Sequence, residues 1–176
     1  MTKKALLIID VQRGLFEPAP HEGYAVMERI NSLAERARAA GVPVVYVQHE
    51  TRTGALAHGT DGWRLAHGLQ PREGDHFVRK TTPDSFLRTD LADKLTSWGT
   101  EQVVICGYAS EFCVDTTTRR AAALGYPVVL VADAHTTHDK PHMGAAQIRA
   151  HHNATLPDIS SFGVKIVATP AADVVF

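Results

Sequence analysis

Short apolar runs of strand length alternate with amphipathic segments of helical period along most of the chain. Residues 5–9 form a continuous apolar run, as expected of a strand that is covered on both faces of a parallel sheet. Residues 24–40 place apolar side chains on one face of a helix and charged side chains on the other, and Gly41 ends the pattern. Because parallel strands need crossover connections, this alternation restricts the chain to a sheet covered by helices.

The alternation predicts six strands in a layered architecture. The strand segments are residues 5–9, 42–47, 76–78, 102–107, 126–131 and 164–168, the last with the apolar–polar alternation of a half-exposed edge strand. Right-handed crossovers between such strands give an α/β fold, a three-layer α/β/α sandwich around a central, mostly parallel six-stranded sheet of Rossmann type. The chain has 176 residues and no linker-like or repeated segment, so residues 1–176 are predicted to form a single domain.

The charge and hydropathy patterns exclude several classes of partner. The formal net charge is -1 with no block of like charge, which argues against nucleic acid and anionic membranes as partners. The longest apolar runs have strand length, well short of the ~20 residues that a membrane-spanning helix needs. The two cysteines form no disulfide framework and favour a reducing, cytoplasmic location.

Three reactive side chains, those of Asp10, Lys80 and Cys113, fall at the carboxyl ends of three different predicted strands. Ligands bind at this edge of an open parallel sheet, so the three side chains are predicted to converge on one site. Each also has a purely structural interpretation: Asp10 as a turn cap, Lys80 as a solvated lysine and Cys113 as inert helix packing. Cys106, inside a predicted strand, is interpreted as inert and receives no role.

Cys113 is the residue whose predicted position most favours chemistry. Residues 107–112 are predicted to form a tight turn into a helix, with Ser110 as its N-cap and Cys113 in its first turn. The helix N-terminus and a nearby Lys80 ammonium are both expected to lower the pKa of the Cys113 thiol. Asp10 can accept the thiol proton and later return it to a departing amine.

Three motifs surround these residues: Asp10-Val11-Gln12, Lys80 followed by Asp84-Ser85-Phe86, and Gly107-Tyr108-Ala109-Ser110-Glu111-Phe112-Cys113-Val114. Together with residues 59–63, 124–126 and 131–134, they resemble the isochorismatase-like cysteine hydrolases, which include nicotinamidases, N-carbamoylsarcosine amidase and ureidoacrylate amidases. The resemblance covers nearly the whole chain and implies a catalytic triad of Asp10, Lys80 and Cys113. It also implies a cis Tyr108–Ala109 peptide and an oxyanion hole formed by the N–H groups of Ala109 and Cys113.

Two departures from the family pattern narrow the expected activity. Nicotinamidases carry an Asp-x-His metal motif after the second strand, where this chain has Gln48-His49-Glu50. A single histidine beside a glutamate is a poor metal site, so no metal and no other cofactor is predicted, and nicotinamidase is disfavoured. The isochorismatases proper cleave a vinyl ether by acid catalysis and need no cysteine, so Cys113 indicates acyl transfer at a C–N bond.

The predicted function is that of a cysteine hydrolase that cleaves a C–N bond of a small amide, ureido or carbamoyl compound through a Cys113 thioester. Its partner is a small-molecule substrate, and the resemblance implies a homo-oligomer. Two alternatives stay open: an isochorismatase-type vinyl-ether hydrolase and a non-catalytic small-molecule-binding protein on the same fold. A nucleotide-binding Rossmann protein is disfavoured because Gly14 stands alone after the first strand, without G-x-G-x-x-G spacing.

Candidate substrate-binding residues come from the loops around this edge of the sheet. Residues 54–74 are rich in glycine and histidine and lack periodicity, which predicts a functional loop. The candidates are Gln12, Phe16, Trp63, Tyr108 and Phe112. Gln12 is expected to orient Asp10 or Lys80 by hydrogen bonding, whereas Phe16 and Phe112 are also consistent with core packing. The ten histidines are scattered, which favours structural or solvent-facing roles for them over a metal site.

Overall fold

A parallel sheet of six strands forms the centre of the computed structural model, which describes residues 2–176. The strands are β1 (Lys4–Ile9), β2 (Val44–His49), β3 (His76–Lys80), β4 (Gln102–Tyr108), β5 (Val128–Thr136) and β6 (Ile166–Thr169). They lie in the order β3-β2-β1-β4-β5-β6, and every neighbouring pair is parallel. The predicted α/β fold class is confirmed, and β6 lies at an edge, as its alternating pattern predicts.

Helices cover both faces of this sheet. They are α1 (Arg13–Phe16), α2 (Gly23–Ala39), α3 (Leu91–Ser97), α4 (Asp115–Ala123) and α5 (Ala145–Thr155), with a π-helical turn (Ser110–Val114) before α4 and a 3-10 turn (Ala171–Asp173) after β6. Leu6 and Ile8 of β1 pack in the hydrophobic core that contains α2, whereas Leu7 and Ile9 pack in the core that contains α3 and α4. Burial of both faces explains the unbroken apolar run of β1. Within residues 2–176, no helix is long and apolar enough to cross a lipid bilayer.

The chain reverses its direction of travel across the sheet between β1 and β4. It passes from β1 through β2 to β3 at one edge and then returns to β4 on the other side of β1. Ligands bind in the crevice at the carboxyl ends of two strands that diverge in this way. Asp10 follows β1 and the π-helical turn follows β4, so the topology delivers both to this crevice.

The segments around the crevice differ most from the sequence-based prediction. The sequence predicts a tight turn over residues 107–112, but β4 continues through Tyr108 and residues 110–114 form the π-helical turn. The sequence also predicts that the fifth strand ends at Val131, but β5 continues to Thr136 and contains His135. The apolar run of β5 stops before the strand ends, because polar residues occur in its last part. The backbone of this part still pairs with β4 at His135 and Thr136.

Gly107 of β4 lies directly against the backbone of Ile9 in β1. Its φ is +118°, a conformation that residues with a side chain rarely adopt. It pairs with Ile9, and a Cβ atom at position 107 would lie 2.1 Å from the Ile9 carbonyl oxygen. Both the backbone angle and the space therefore require glycine at this position.

Substitution of Gly107 tests this requirement. Gly107→Ala is expected to lower the free energy of unfolding by more than about 3 kcal/mol, because backbone strain and a backbone clash add. Gly125→Ala is the matched control, since Gly125 has a φ of +92° but a Cβ there meets no atom within 4 Å. The control is expected to lose only about 1–2 kcal/mol. Urea denaturation followed by circular dichroism measures both, and equal losses would contradict the steric explanation.

Candidate active site

The side chains of Asp10, Lys80 and Cys113 meet at the carboxyl ends of the strands. Lys80 Nζ donates a hydrogen bond to Asp10 Oδ2 at 2.7 Å and lies 3.2 Å from Cys113 Sγ. It also donates to the Thr82 carbonyl oxygen at 3.2 Å. The structure thus brings together the three reactive residues that the sequence singles out.

Asp10 and Lys80 form a buried ion pair. Their side chains are 1% and 0% exposed, so neither charge is hydrated. Asp10 has a φ of +51°, which non-glycine residues seldom adopt, and its N–H donates to the Val47 carbonyl oxygen of β2 at 2.9 Å. Removal of either partner would leave the other as an uncompensated buried charge, at a cost of about 3–5 kcal/mol.

Cys113 lies in the π-helical turn and not in the first turn of an α-helix, which begins at Asp115. The prediction that Ser110 caps a helix is wrong, because no side chain caps the turn. The Ser110 hydroxyl is instead hydrogen-bonded to His135 Nδ1 at 2.8 Å. The Ser110 hydroxyl therefore bonds a buried histidine and not the backbone N–H groups that the predicted cap would have bonded.

The pKa of the Cys113 thiol is raised to about 12, opposite to the lowering predicted from the sequence. Burial is the largest cause, and the adjacent Asp10 carboxylate disfavours a second negative charge. The Lys80 ammonium opposes both effects but does not overcome them. Cys113 is therefore a thiol at neutral pH, and a neighbouring base must take its proton when it reacts. Asp10 Oδ1 is buried and has no hydrogen-bond partner among the described residues, so it is free to accept a proton.

A buried hydrogen-bonded chain supports the π-helical turn from behind. Asn153 Oδ1 can only accept, so His135 Nε2 donates to it at 2.9 Å, and Nδ1 accepts from the Ser110 hydroxyl. Asn153 Nδ2 in turn donates to the Ala132 carbonyl oxygen at 2.8 Å. Burial lowers the pKa of His135 to about 4, so the imidazole stays neutral and can accept. The chain links the turn that holds Cys113 to β5 and α5.

A pocket of about 280 Å³ opens beside Cys113. Its lining residues are Asp10, Leu15, His49, Leu56, Pro83, Tyr108, Ala109, Phe112 and Cys113. Tyr108 and Phe112, two of the predicted substrate contacts, line it, and Phe112 is 53% exposed. The Tyr108–Ala109 peptide is cis, as the family resemblance predicts.

The other three predicted substrate contacts do not line this pocket. Phe16 is buried and packs edge-on against the Tyr108 ring, with centroids 5.8 Å apart, so it supports the wall from behind. Trp63 contributes its carbonyl oxygen, which accepts from Gln12 Nε2 at 2.8 Å and from Gln48 Nε2 at 3.0 Å. These two bonds dock the long loop between β2 and β3 on the sheet.

Gln12 orients His49, and not Asp10 or Lys80 as predicted. Its side-chain amide is buried and forms a matched pair of bonds with the His49 backbone: Gln12 Nε2 donates to the His49 carbonyl oxygen, and the His49 N–H donates to Gln12 Oε1, both at 2.9 Å. The His49 side chain then reaches the pocket, with Nδ1 3.4 Å from Lys80 Nζ. Burial and the Lys80 ammonium lower the pKa of His49, which keeps the ring uncharged at neutral pH.

The sequence pattern does not indicate that the His49 side chain lines the pocket. It indicates only that His49 is a poor metal ligand. Within residues 2–176, no three His, Cys, Asp or Glu side chains form a group that could hold a metal ion. Both cysteines are free thiols, and Cys106 is fully buried. Burial raises the pKa of the Cys106 thiol.

The chain matches one family model and is similar to several known proteins. Residues 4–161 match the family model described as Isochorismatase domain. A streptothricin hydrolase of Streptomyces noursei is 41% identical over 141 residues, which cover 78% of this chain and 51% of that protein. The secreted isochorismatase effector Isc1 of Verticillium dahliae is 39% identical over 133 residues, 74% of this chain and 70% of that protein. A crystal structure of an isochorismatase family protein aligns with a TM-score of 0.85 and 35% identity over 94% of this chain and 98% of that one. The chain spans about half the length of the streptothricin hydrolases that it matches.

Asp10→Asn tests the origin of the raised pKa of Cys113. The substitution removes the carboxylate that disfavours the thiolate and leaves Lys80 beside the sulfur, so the pKa is expected to fall. The rise with pH of the rate at which iodoacetamide alkylates Cys113, followed by intact mass spectrometry, should then be centred at least about one pH unit lower than in the wild type. Asp84→Asn is the control, because that carboxylate pairs with Arg120 and should leave the pH profile unchanged. A profile centred at the same or a higher pH in Asp10→Asn would contradict the assignment.

The neutral His135 predicts a pH dependence of stability. Its pKa is lowered in the folded state, so its contribution is fully present above the unfolded value of about 6.5 and is lost as the pH falls towards 4. The loss from this group amounts to about 3 kcal/mol. His135→Gln keeps a hydrogen-bonding side chain but cannot titrate. Urea denaturation at pH 7, 5.5 and 4.5 should show a smaller loss in this variant, and parallel pH profiles would disprove the assignment.

Proposed function

The chain belongs to the isochorismatase family, and we propose that it is a cysteine hydrolase that cleaves a C–N bond of a small amide, ureido or carbamoyl compound. One observation carries the proposal: the Cys113 sulfur lies in the pocket lining, 3.2 Å from Lys80 Nζ and beside the Asp10 carboxylate. A nucleophile, a proton acceptor and a fixed positive charge within reach of one another are what acyl transfer requires. The relative named streptothricin hydrolase also supports hydrolysis.

The first half of the reaction forms a thioester. Asp10 takes the Cys113 proton as the sulfur attacks the substrate carbonyl carbon, so no free thiolate has to exist beforehand. Lys80 stays protonated and stabilises the negative charge as it moves from Asp10 to the sulfur. The N–H groups of Ala109 and Cys113 stabilise the developing oxyanion, each contributing about 3 kcal/mol.

Loss of the nitrogen completes the thioester, and the second half of the reaction then hydrolyses it. Collapse of the tetrahedral intermediate breaks the C–N bond, and Asp10 gives its proton to the departing nitrogen. Water then attacks the thioester carbonyl, and Asp10 accepts a proton from it. That proton returns to the sulfur as the C–S bond breaks, which restores the thiol and releases the acid product.

Cys113→Ala tests the nucleophile. Turnover of small amides, ureas and carbamoyl compounds, measured as ammonia release, is expected to fall by at least about 10³-fold, because no thioester can form. The fold should persist, as circular dichroism would show. Cys106→Ala is the matched control: this thiol is fully buried in the core and is not part of the pocket lining, so turnover should be retained.

Different outcomes separate the alternatives to this proposal. Amide turnover that persists in Cys113→Ala would remove the nucleophile assignment. Activity on isochorismate that survives the same substitution would favour a vinyl-ether hydrolase, the activity in the name of the Verticillium dahliae relative. Binding without turnover, with no selective alkylation of Cys113 over Cys106, would favour a non-catalytic binding protein.

A further inference from the structure

The pocket beside Cys113 has apolar walls. Leu15, Leu56, Pro83 and Phe112 form most of its surface away from the reactive groups. Its volume of about 280 Å³ compares with the roughly 150 Å³ cavity that holds benzene. The walls therefore suit a compact apolar group of about the size of a single substituted ring.

No free positive charge faces this pocket. Among the described residues that line it there is neither a lysine nor an arginine. Lys80, below the sulfur, directs its three donors to Asp10, Thr82 and Cys113, and the Asp10 carboxylate balances its charge. The site as a whole therefore offers no net charge to a ligand.

Three cations on the segments next to the lining residues are engaged in ion pairs, and Arg52, between His49 and Leu56, is exposed and is not part of the lining. The pairs are Lys140 Nζ with Glu111 Oε1 at 3.2 Å, Arg120 Nε with Asp84 Oδ2 at 3.5 Å, and Arg79 Nε with Glu50 Oε2 at 2.7 Å. Apart from the Asp10 carboxylate, the polar side chains on the lining are neutral, since burial keeps His49 uncharged and the Tyr108 hydroxyl is hydrogen-bonded to His138 Nδ1 at 2.9 Å. An anionic ligand would find no unpaired cation on the lining.

Resting on the proposed function, we infer that the substrate is an uncharged amide, urea or carbamoyl compound with a compact apolar body, and that the pocket rejects analogues bearing a carboxylate. A carboxylate would lose its hydration on entry and gain no counter-ion, and it would face the Asp10 carboxylate. The same feature favours product release, because hydrolysis of a neutral amide creates an acid whose carboxylate the site does not hold.

Two alkylating reagents of equal chemistry and different charge test this inference. Iodoacetamide is neutral and iodoacetate is anionic, and each forms a thioether with the sulfur as iodide leaves. Relative to the same ratio for glutathione, Cys113 in the wild-type protein is expected to react with iodoacetamide over iodoacetate with at least about tenfold greater preference. Mass spectrometry of the intact protein and of its peptides gives the rate at Cys113.

A positive charge placed on the wall should reduce the preference. Leu56→Arg puts a guanidinium on the pocket surface and is expected to lower the iodoacetamide-to-iodoacetate ratio by roughly tenfold. Leu87→Arg adds the same charge at an exposed position outside the lining, and should leave the ratio at its wild-type value. If Leu56→Arg does not fold, the ratio in the wild-type protein decides the matter alone.

The readout is independent of turnover, which separates the two proposals. A wild-type ratio equal to or below that of glutathione overturns the uncharged-substrate inference, whether or not amides are hydrolysed. A high ratio in a protein that hydrolyses none of the small amides, ureas and carbamoyl compounds, with release of neither ammonia nor amine, would contradict the hydrolase proposal and leave the preference for uncharged ligands standing. A Leu56→Arg variant that folds but keeps the wild-type ratio also counts against the inference.

Discussion

An ammonium and a carboxylate, both removed from water, hold the reactive edge of the sheet together. Lys80 ends β3 and Asp10 follows β1, so the lysine side chain must reach across the end of β2 to make the pair. His49, the last residue of β2 and the register partner of Lys80, necessarily lies beneath this crossing. The crossing brings Lys80 Nζ within 3.4 Å of Nδ1 of His49, which lines the pocket. The ion pair also places a positive charge beside the sulfur of Cys113.

Burial makes the resting site neutral overall. A thiol with a pKa of about 12 keeps its proton, so the only charges at the centre are those of the ion pair, and they cancel. A resting thiolate would place two negative charges beside one ammonium in an apolar enclosure, an arrangement that low solvation disfavours. Under the proposed mechanism, negative charge therefore reaches the sulfur only as the sulfur attacks a substrate.

The sequence predicts the sheet, its edge strand and the meeting of Asp10, Lys80 and Cys113, because apolar periodicity and strand ends are local signals. It misjudges the pKa of Cys113, because the degree of burial depends on segments far apart in the chain. It also misplaces Ser110, whose hydroxyl is claimed by His135, a partner 25 residues away. Residue spacing does not show that a hydroxyl suited to a local helix cap will bond a distant side chain instead.

The anchoring of the long loop between β2 and β3 has a consequence for how this chain can vary. Gln12 and Gln48 both donate hydrogen bonds to the main-chain carbonyl oxygen of Trp63. Every residue type has this carbonyl group. The indole makes no hydrogen bond among residues 2–176. The side chain at position 63 can therefore change without loss of these two hydrogen bonds, whereas either glutamine is far less free to change.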